Sequence, residues 1–136
     1  LRQPPVTLLH ADAHIGNTYV LPDGDVGFLD WQVARRGRWS QDVGSFLISS
    51  LVVDDRRAHE RELLGAYCDA LELPAGERPA PDVAWEEYRA SSIYGLAIWA
   101  STLGTDGYQR RDVSLALAGR HAVAVDDLDA VSLLGG

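Results

Sequence analysis

Between residues 17 and 30 the chain carries a turn signal bracketed by two short β-prone runs, with a side chain able to bind a metal at each end. Thr18-Tyr19-Val20-Leu21 and Val26-Gly27-Phe28-Leu29 favour extended backbone, and Pro22-Asp23-Gly24-Asp25 supplies the turn chemistry. A hairpin of that length returns Asp30 to the side of Asn17. The two then offer hard oxygen donors on adjacent backbone segments, the donor type that magnesium prefers when it bridges nucleotide phosphates. Just ahead, His10-Ala11-Asp12-Ala13-His14-Ile15-Gly16-Asn17 adds a carboxylate at the start of the loop, free to face an attacking hydroxyl.

These intervals fit the loop written H-R-D-x-x-x-x-N in protein kinases, where Asp is the base, Asn sits on a metal and a later Asp also holds metal. His10, Asp12 and Asn17 occupy that frame residue for residue, and Asp30 stands where the later Asp belongs. Alone, Asp12 would read as a turn or capping residue, as most loop aspartates do. Its combination with His10, Asn17 and Asp30 gives it a catalytic reading instead. His10 is expected to be a structural hydrogen bonder. For His14, two residues past the base, approach to a transferred phosphoryl group and simple packing are both open.

His10 to Asn17, followed by Leu29-Asp30-Trp31-Gln32, resemble the aminoglycoside phosphotransferase and choline kinase superfamily, which has a protein-kinase-like fold. In that family the loop usually reads His-Gly-Asp-x-His-x-x-Asn, an aromatic residue follows the metal Asp, and a further Asp opens the next helix. Asp42, in Trp39-Ser40-Gln41-Asp42-Val43-Gly44, matches this last element. The resemblance is strong over residues 8 to 47. It implies that Asp12 is the base, that Asn17 and Asp30 hold Mg2+, and that Asp42 ties down the loop backbone. ATP would be the phosphoryl donor, with GTP as an alternative, and the hydroxyl of a small molecule the acceptor. The chain departs from the pattern at Ala11, where Gly is usual and a methyl group constrains the backbone, and at Gln32, where many relatives carry an acid.

A kinase also needs a Gly-rich loop over the phosphates and a strand-borne Lys paired with a helical Glu. This chain has no Val-Ala-Ile-Lys-like strand, begins almost at the catalytic loop and contains no Met. The expectation is therefore the C-terminal lobe of a longer protein, partnered by an N-terminal nucleotide-binding lobe and inactive alone. Residues 1–136 form one unit: 1–41 hold the loop, hairpin and metal Asp, and 42–136 are helical. At 46% hydrophobic residues the chain has enough apolar content for a core.

A formal charge of -8 argues against nucleic acid as a partner and is compatible with a cationic substrate. Cys68 is the only cysteine, which excludes an intrachain disulfide or a zinc knuckle and favours a cytoplasmic setting; Cys68 itself reads as a helix residue. No apolar run reaches membrane-spanning length.

After the hairpin the pattern changes to helical spacing, giving an α+β, mainly α chain with about four helices. Residues 42 to 53 read as a short buried helix. Asp54-Asp55 is expected to cap a second, with Leu63, Leu64, Tyr67, Ala70 and Leu71 inward and Arg56, Arg57, Glu60 and Arg61 exposed. Pro74 to Pro81 is a loop, a third helix runs from Asp82 to about Ser101, and a fourth from about Gln109 to Ala130 after Gly104-Thr105-Asp106-Gly107. Trp31, Trp39, Trp85 and Trp99 allow an aromatic cage for a quaternary ammonium, although core packing is the stronger expectation. Asp54, Asp55, Glu86, Glu87 and Asp106 would line an amino-sugar pocket or, more in keeping with their pattern, form a solvated surface.

Two rival functions remain. His10-x-Asp12-x-His14, completed by Asp30 or His59, would make a metal-hydrolase cluster, but leaves Asn17 and Phe28-Leu29-Asp30-Trp31 without a role. A non-catalytic kinase-like scaffold is the other.

Overall fold

The computed structural model describes residues 5–74, 76–105, 107 and 109–135. The hairpin forms where its turn chemistry places it. Strands β2 (Thr18–Val20) and β3 (Val26–Phe28) pair antiparallel, Thr18 opposite Phe28 and Val20 opposite Val26. Asp23 closes the turn by accepting from the Asp25 amide at 3.2 Å, and Gly24 takes φ of 95°, which favours glycine.

A second two-stranded sheet has no counterpart in the sequence expectations. Strand β1 (Val6–Leu9) pairs antiparallel with β4 (Arg35–Arg38), Val6 opposite Arg38 and Leu9 opposite Arg35. Arg-Arg-Gly-Arg is weakly β-prone, so only its long-range partner reveals it as a strand. The two strands bracket the loop and hairpin and hold them as one module.

Four helices follow: α1 (Ser40–Ser50), α2 (Val53–Ala70), α3 (Pro81–Leu103) and α4 (Arg111–Asp127), with a final 3-10 turn at Ala130–Gly135. Pro81 opens α3 at a position where its missing N–H costs nothing. Helix α1 starts two residues earlier and ends three earlier than the apolar run suggested. Helix α3 is central, packing on α1 and on α4. Close approach demands glycine at both crossings. A Cβ on Gly44 would meet Ser91 Oγ at 1.9 Å, and one on Gly95 would meet the His121 ring at 2.2 Å.

The core lies at the helical end, where Trp39, Val43, Leu47 and Ile48 meet Leu64, Cys68, Ala84, Tyr88, Ala124 and Leu128. A fully buried side chain of this size contributes about 1.5–3 kcal/mol. Most of the apolar stabilisation therefore resides there, and the front module is held to it by Trp39 and by polar ties. Cys68 is a buried free thiol in α2, pushed above its ordinary pKa by that burial, as a packed rather than reactive cysteine should be.

The expectation for α2 requires correction on three points. Asp54 and Asp55 lie in its first turn without capping it; Val52 holds the N-cap position and makes no side-chain cap bond. Arg56 and Glu60 are buried, with 1% and 7% of their surface exposed, whereas Leu63 and Ala70 are exposed. The reason is pairing. Arg56 Nη1 donates to Glu60 Oε2 at 2.6 Å and Nη2 donates to Asp127, while the Tyr88 hydroxyl donates to the same Glu60 oxygen at 2.9 Å. A charge that finds its counter-charge inside the bundle turns its helix face inward as an apolar residue would.

Candidate active site

Asp42 at the start of α1 organises the loop. Its two carboxylate oxygens accept from the backbone N–H groups of His10 (2.6 Å) and Ala11 (2.9 Å). Ala11 has φ of 69°, a left-handed conformation that glycine adopts readily and alanine does not, and the Asp42 bond to its N–H helps hold it there.

The His10 ring is engaged on both sides. Nδ1 accepts from the Asp12 amide at 3.3 Å, so the ring proton sits on Nε2, which donates to the Leu29 carbonyl at 2.8 Å. This buried imidazole fastens the loop to the far end of the hairpin, and Trp31 covers it, ring centroids 4.6 Å apart.

Asp12 and Asn17 form a direct pair. Asn17 Nδ2 donates to the Asp12 carbonyl and to Asp12 Oδ2, each at 3.0 Å, which leaves the amide oxygen of this buried side chain as its remaining polar atom. The Asp12 side chain stays 40% exposed, with Oδ1 at 3.8 Å from His14 Nε2. His14 caps the short turn Ile15–Asn17 by accepting from the Gly16 amide at 3.1 Å, and sits edge-on to Trp99. Its neutral form therefore carries its proton on the nitrogen that faces Asp12.

The hairpin returns the chain to this pair, since the Leu29 amide donates to the Asn17 carbonyl at 2.9 Å. Asp30, the next residue, is exposed and takes φ of 65°, a conformation Asp tolerates better than most residues. A carboxylate, an amide oxygen and a second carboxylate thus lie along two adjacent segments. This hard oxygen donor set suits magnesium.

A narrow cleft opens beside Asp12, with free space of about 20 Å³; its lining includes Ala11, Asp42 and Ser45, with Tyr94, Ile98 and Trp99 of α3 as a wall. The composition of that wall is a product of tertiary packing, because α3 lies some eighty residues from the loop in the chain. Asp54, Asp55, Glu86 and Glu87 are not among its lining residues, and Asp106 lies outside the described residues. Glu87 departs from the solvated-surface expectation: it is partly buried, and burial raises its carboxyl pKa.

Among the described residues no group of three or more His, Cys, Asp or Glu comes together to hold an ion, and both nitrogens of the His10 ring are engaged with backbone partners. His59 is exposed on α2. The tryptophans do not gather. Trp39 stacks on Tyr67, Trp85 on Tyr88 with Arg61 over its other ring face, Trp99 meets His14, and Trp31 meets His10. Among the described residues no helix is long and apolar enough to cross a membrane.

No curated protein and no solved structure matches the chain. The model of the phosphotransferase enzyme family matches residues 1–87, from the first strand through the loop, hairpin, α1 and α2 into α3. With more than half of its length under that match, and with the loop motif inside it, the chain belongs to the phosphotransferase enzyme family.

Proposed function

We propose that this chain is the catalytic part of an ATP-dependent phosphotransferase that phosphorylates a hydroxyl of a small molecule, built as a kinase-like large lobe. The observation that carries the reading is the Asp12–Asn17 pair, with the hairpin end bonded to the Asn17 backbone. Asp12 orients the acceptor hydroxyl and takes its proton as the oxygen attacks. Asn17 fixes the Asp12 rotamer through Nδ2, and its oxygen would join the Asp30 carboxylate in holding Mg2+. Bound there, magnesium would neutralise phosphate charge and set the nucleotide in line. His10 and Asp42 act on the backbone, holding the loop so that Asp12 need not be reorganised for each turnover. Most of the rate would come from positioning and charge neutralisation, as in phosphoryl transfer generally.

The test is magnesium-dependent ATP consumption by the intact protein over a panel of hydroxylated compounds, with Asp12→Asn as the decisive variant. Its turnover should fall about 10²-fold or more, the scale of losing a positioned acid-base group, with nucleotide affinity nearly unchanged. Near-normal turnover in this variant would remove Asp12 from the role of base.

A further inference from the structure

The cleft beside Asp12 contains one feature that the reaction does not require. Arg35, on β4, is the single basic residue among those lining it. Its guanidinium is held by neutral groups only: Nη2 donates to the Tyr94 hydroxyl at 2.7 Å and to Gln41 Oε1 at 3.3 Å. Arg35 forms no ion pair among the described residues, which is also true of Arg36, Arg38, Arg61, Arg111 and Arg120, but of these it alone lines the cleft. Two acids line the cleft with it, and each accepts bonds from other groups, although Asp12 Oδ1 stays open. Asp42 accepts two backbone amides, and Asp12 accepts the Asn17 amide.

An arginine fixed by neutral partners keeps its full positive charge and its remaining donors, Nε and Nη1, in a geometry suited to a carboxylate or phosphate. This guanidinium gives an anion a local partner in a cleft whose other charged lining groups are the carboxylates of Asp12 and Asp42. In a chain of net charge -8, long-range attraction would favour cations. Charge recognition of an anion in the cleft would therefore come from this one basic group. The enclosed space of about 20 Å³ holds roughly one water-sized group, so most of an acceptor would lie across the open mouth, where Arg35 is exposed.

We propose that the cleft selects an acceptor bearing an anionic group close to the hydroxyl that is phosphorylated, and that Arg35, held by Tyr94 and Gln41, recognises that anion. The inference rests on the reading of Asp12 as the base, since it takes the cleft to be the acceptor site. It places small hydroxy acids ahead of amino alcohols and neutral polyols.

Binding and transfer are measured separately on the intact protein. Calorimetric titration with glycerate, glycerol and ethanolamine should give glycerate at least about tenfold tighter than either other compound, the scale of one charge-assisted contact. Arg35→Gln should remove that preference, Arg35→Lys should restore part of it, and Tyr94→Phe, which keeps the charge but releases the guanidinium, should weaken it severalfold. Circular dichroism of each variant verifies folding. Equal or weaker binding of glycerate, or a preference that survives Arg35→Gln, overturns the proposal. Glycerate that binds through Arg35 while no compound of the hydroxylated panel is phosphorylated with ATP and magnesium would leave the anion site standing and sink the phosphotransferase reading.

Discussion

Ala11 of the loop and Asp42 at the start of α1 divide between them the conformational cost and its compensation. Ala11 occupies a left-handed conformation that costs an L-residue about 1–2 kcal/mol, while glycine's greater freedom in the unfolded chain costs about 0.5–1 kcal/mol. The first outweighs the second. Ala11→Gly should therefore raise stability by up to about 1 kcal/mol, read as a higher midpoint in denaturant, and an unchanged or lower midpoint would show that the neighbouring amide bonds already relieve the strain. Asp30 shares the conformation but is exposed, so its side chain is free for a ligand. Asp30→Ala should weaken magnesium-dependent ATP binding as well as turnover, in contrast to Asp12→Asn, because it removes an anionic oxygen ligand. Magnesium titrations that leave ATP affinity unchanged would contradict Asp30 as a ligand.

At the scale of elements, the helices are tied by polar groups inside the bundle. Arg56 of α2 links Glu60 to Asp127 at the end of α4, Tyr88 of α3 joins the same Glu60, and Arg57 grips Asp127 with two bonds of 2.8 and 2.9 Å. Removing one partner of a buried pair leaves the other charge uncompensated, at about 3–5 kcal/mol. Arg56→Met should cost that much in denaturant unfolding, and Arg56→Met with Glu60→Leu should recover much of it. Additive losses in the double variant would mean that Glu60 was never dependent on Arg56.

His121 of α4 sets a pH dependence. It is fully buried against Gly95 of α3, and burial lowers its pKa from about 6.5 to about 4; the Ser92 backbone, close but outside hydrogen-bond geometry, offsets this only in part. The folded state thus disfavours the proton that the unfolded chain accepts. Stability attributable to this residue is intact above pH about 6.5, declines as pH falls toward 4 and changes no further below that. Its total loss is about 3 kcal/mol, because each tenfold fall in proton affinity is worth roughly 1.4 kcal/mol. Unfolding free energies measured across pH 4 to 7 should show this slope, and His121→Leu should flatten it.

For the whole molecule, apolar burial is unevenly distributed. Val6, Leu8, Ile15, Val20, Val26, Leu29, Trp31 and Val33 are between 44% and 72% exposed within the short front module, whereas Val52, Leu63, Val83, Ile98, Leu115, Val131 and Leu134 are spread over the much longer helical part, which also holds the buried cluster. Exposed apolar surface that is densest in one module drives association. Residues 1–136 expressed by themselves should therefore self-associate, seen as a concentration-dependent apparent mass in sedimentation, and strictly monomeric behaviour at high concentration would count against that reading.

Features that depend on neighbours along the chain were legible without coordinates. The His10–Asn17 spacing, the turn between two β-prone runs and the start of a helix near Asp42 are local patterns, and the family match covers that same stretch. Helix positions could be read to within a few residues because apolar periodicity and proline act locally. Other features came from packing alone. The β1–β4 pair joins segments about thirty residues apart, one of them rich in arginine; Arg56 and Glu60 are inward because Asp127 and Tyr88 meet them; and the cleft beside Asp12 owes its Arg35–Tyr94 contact to α3 packing against α1. In each case the deciding partner is remote in sequence, and the energy of a charge or a strand edge depends on what faces it more than on the residue's own propensity.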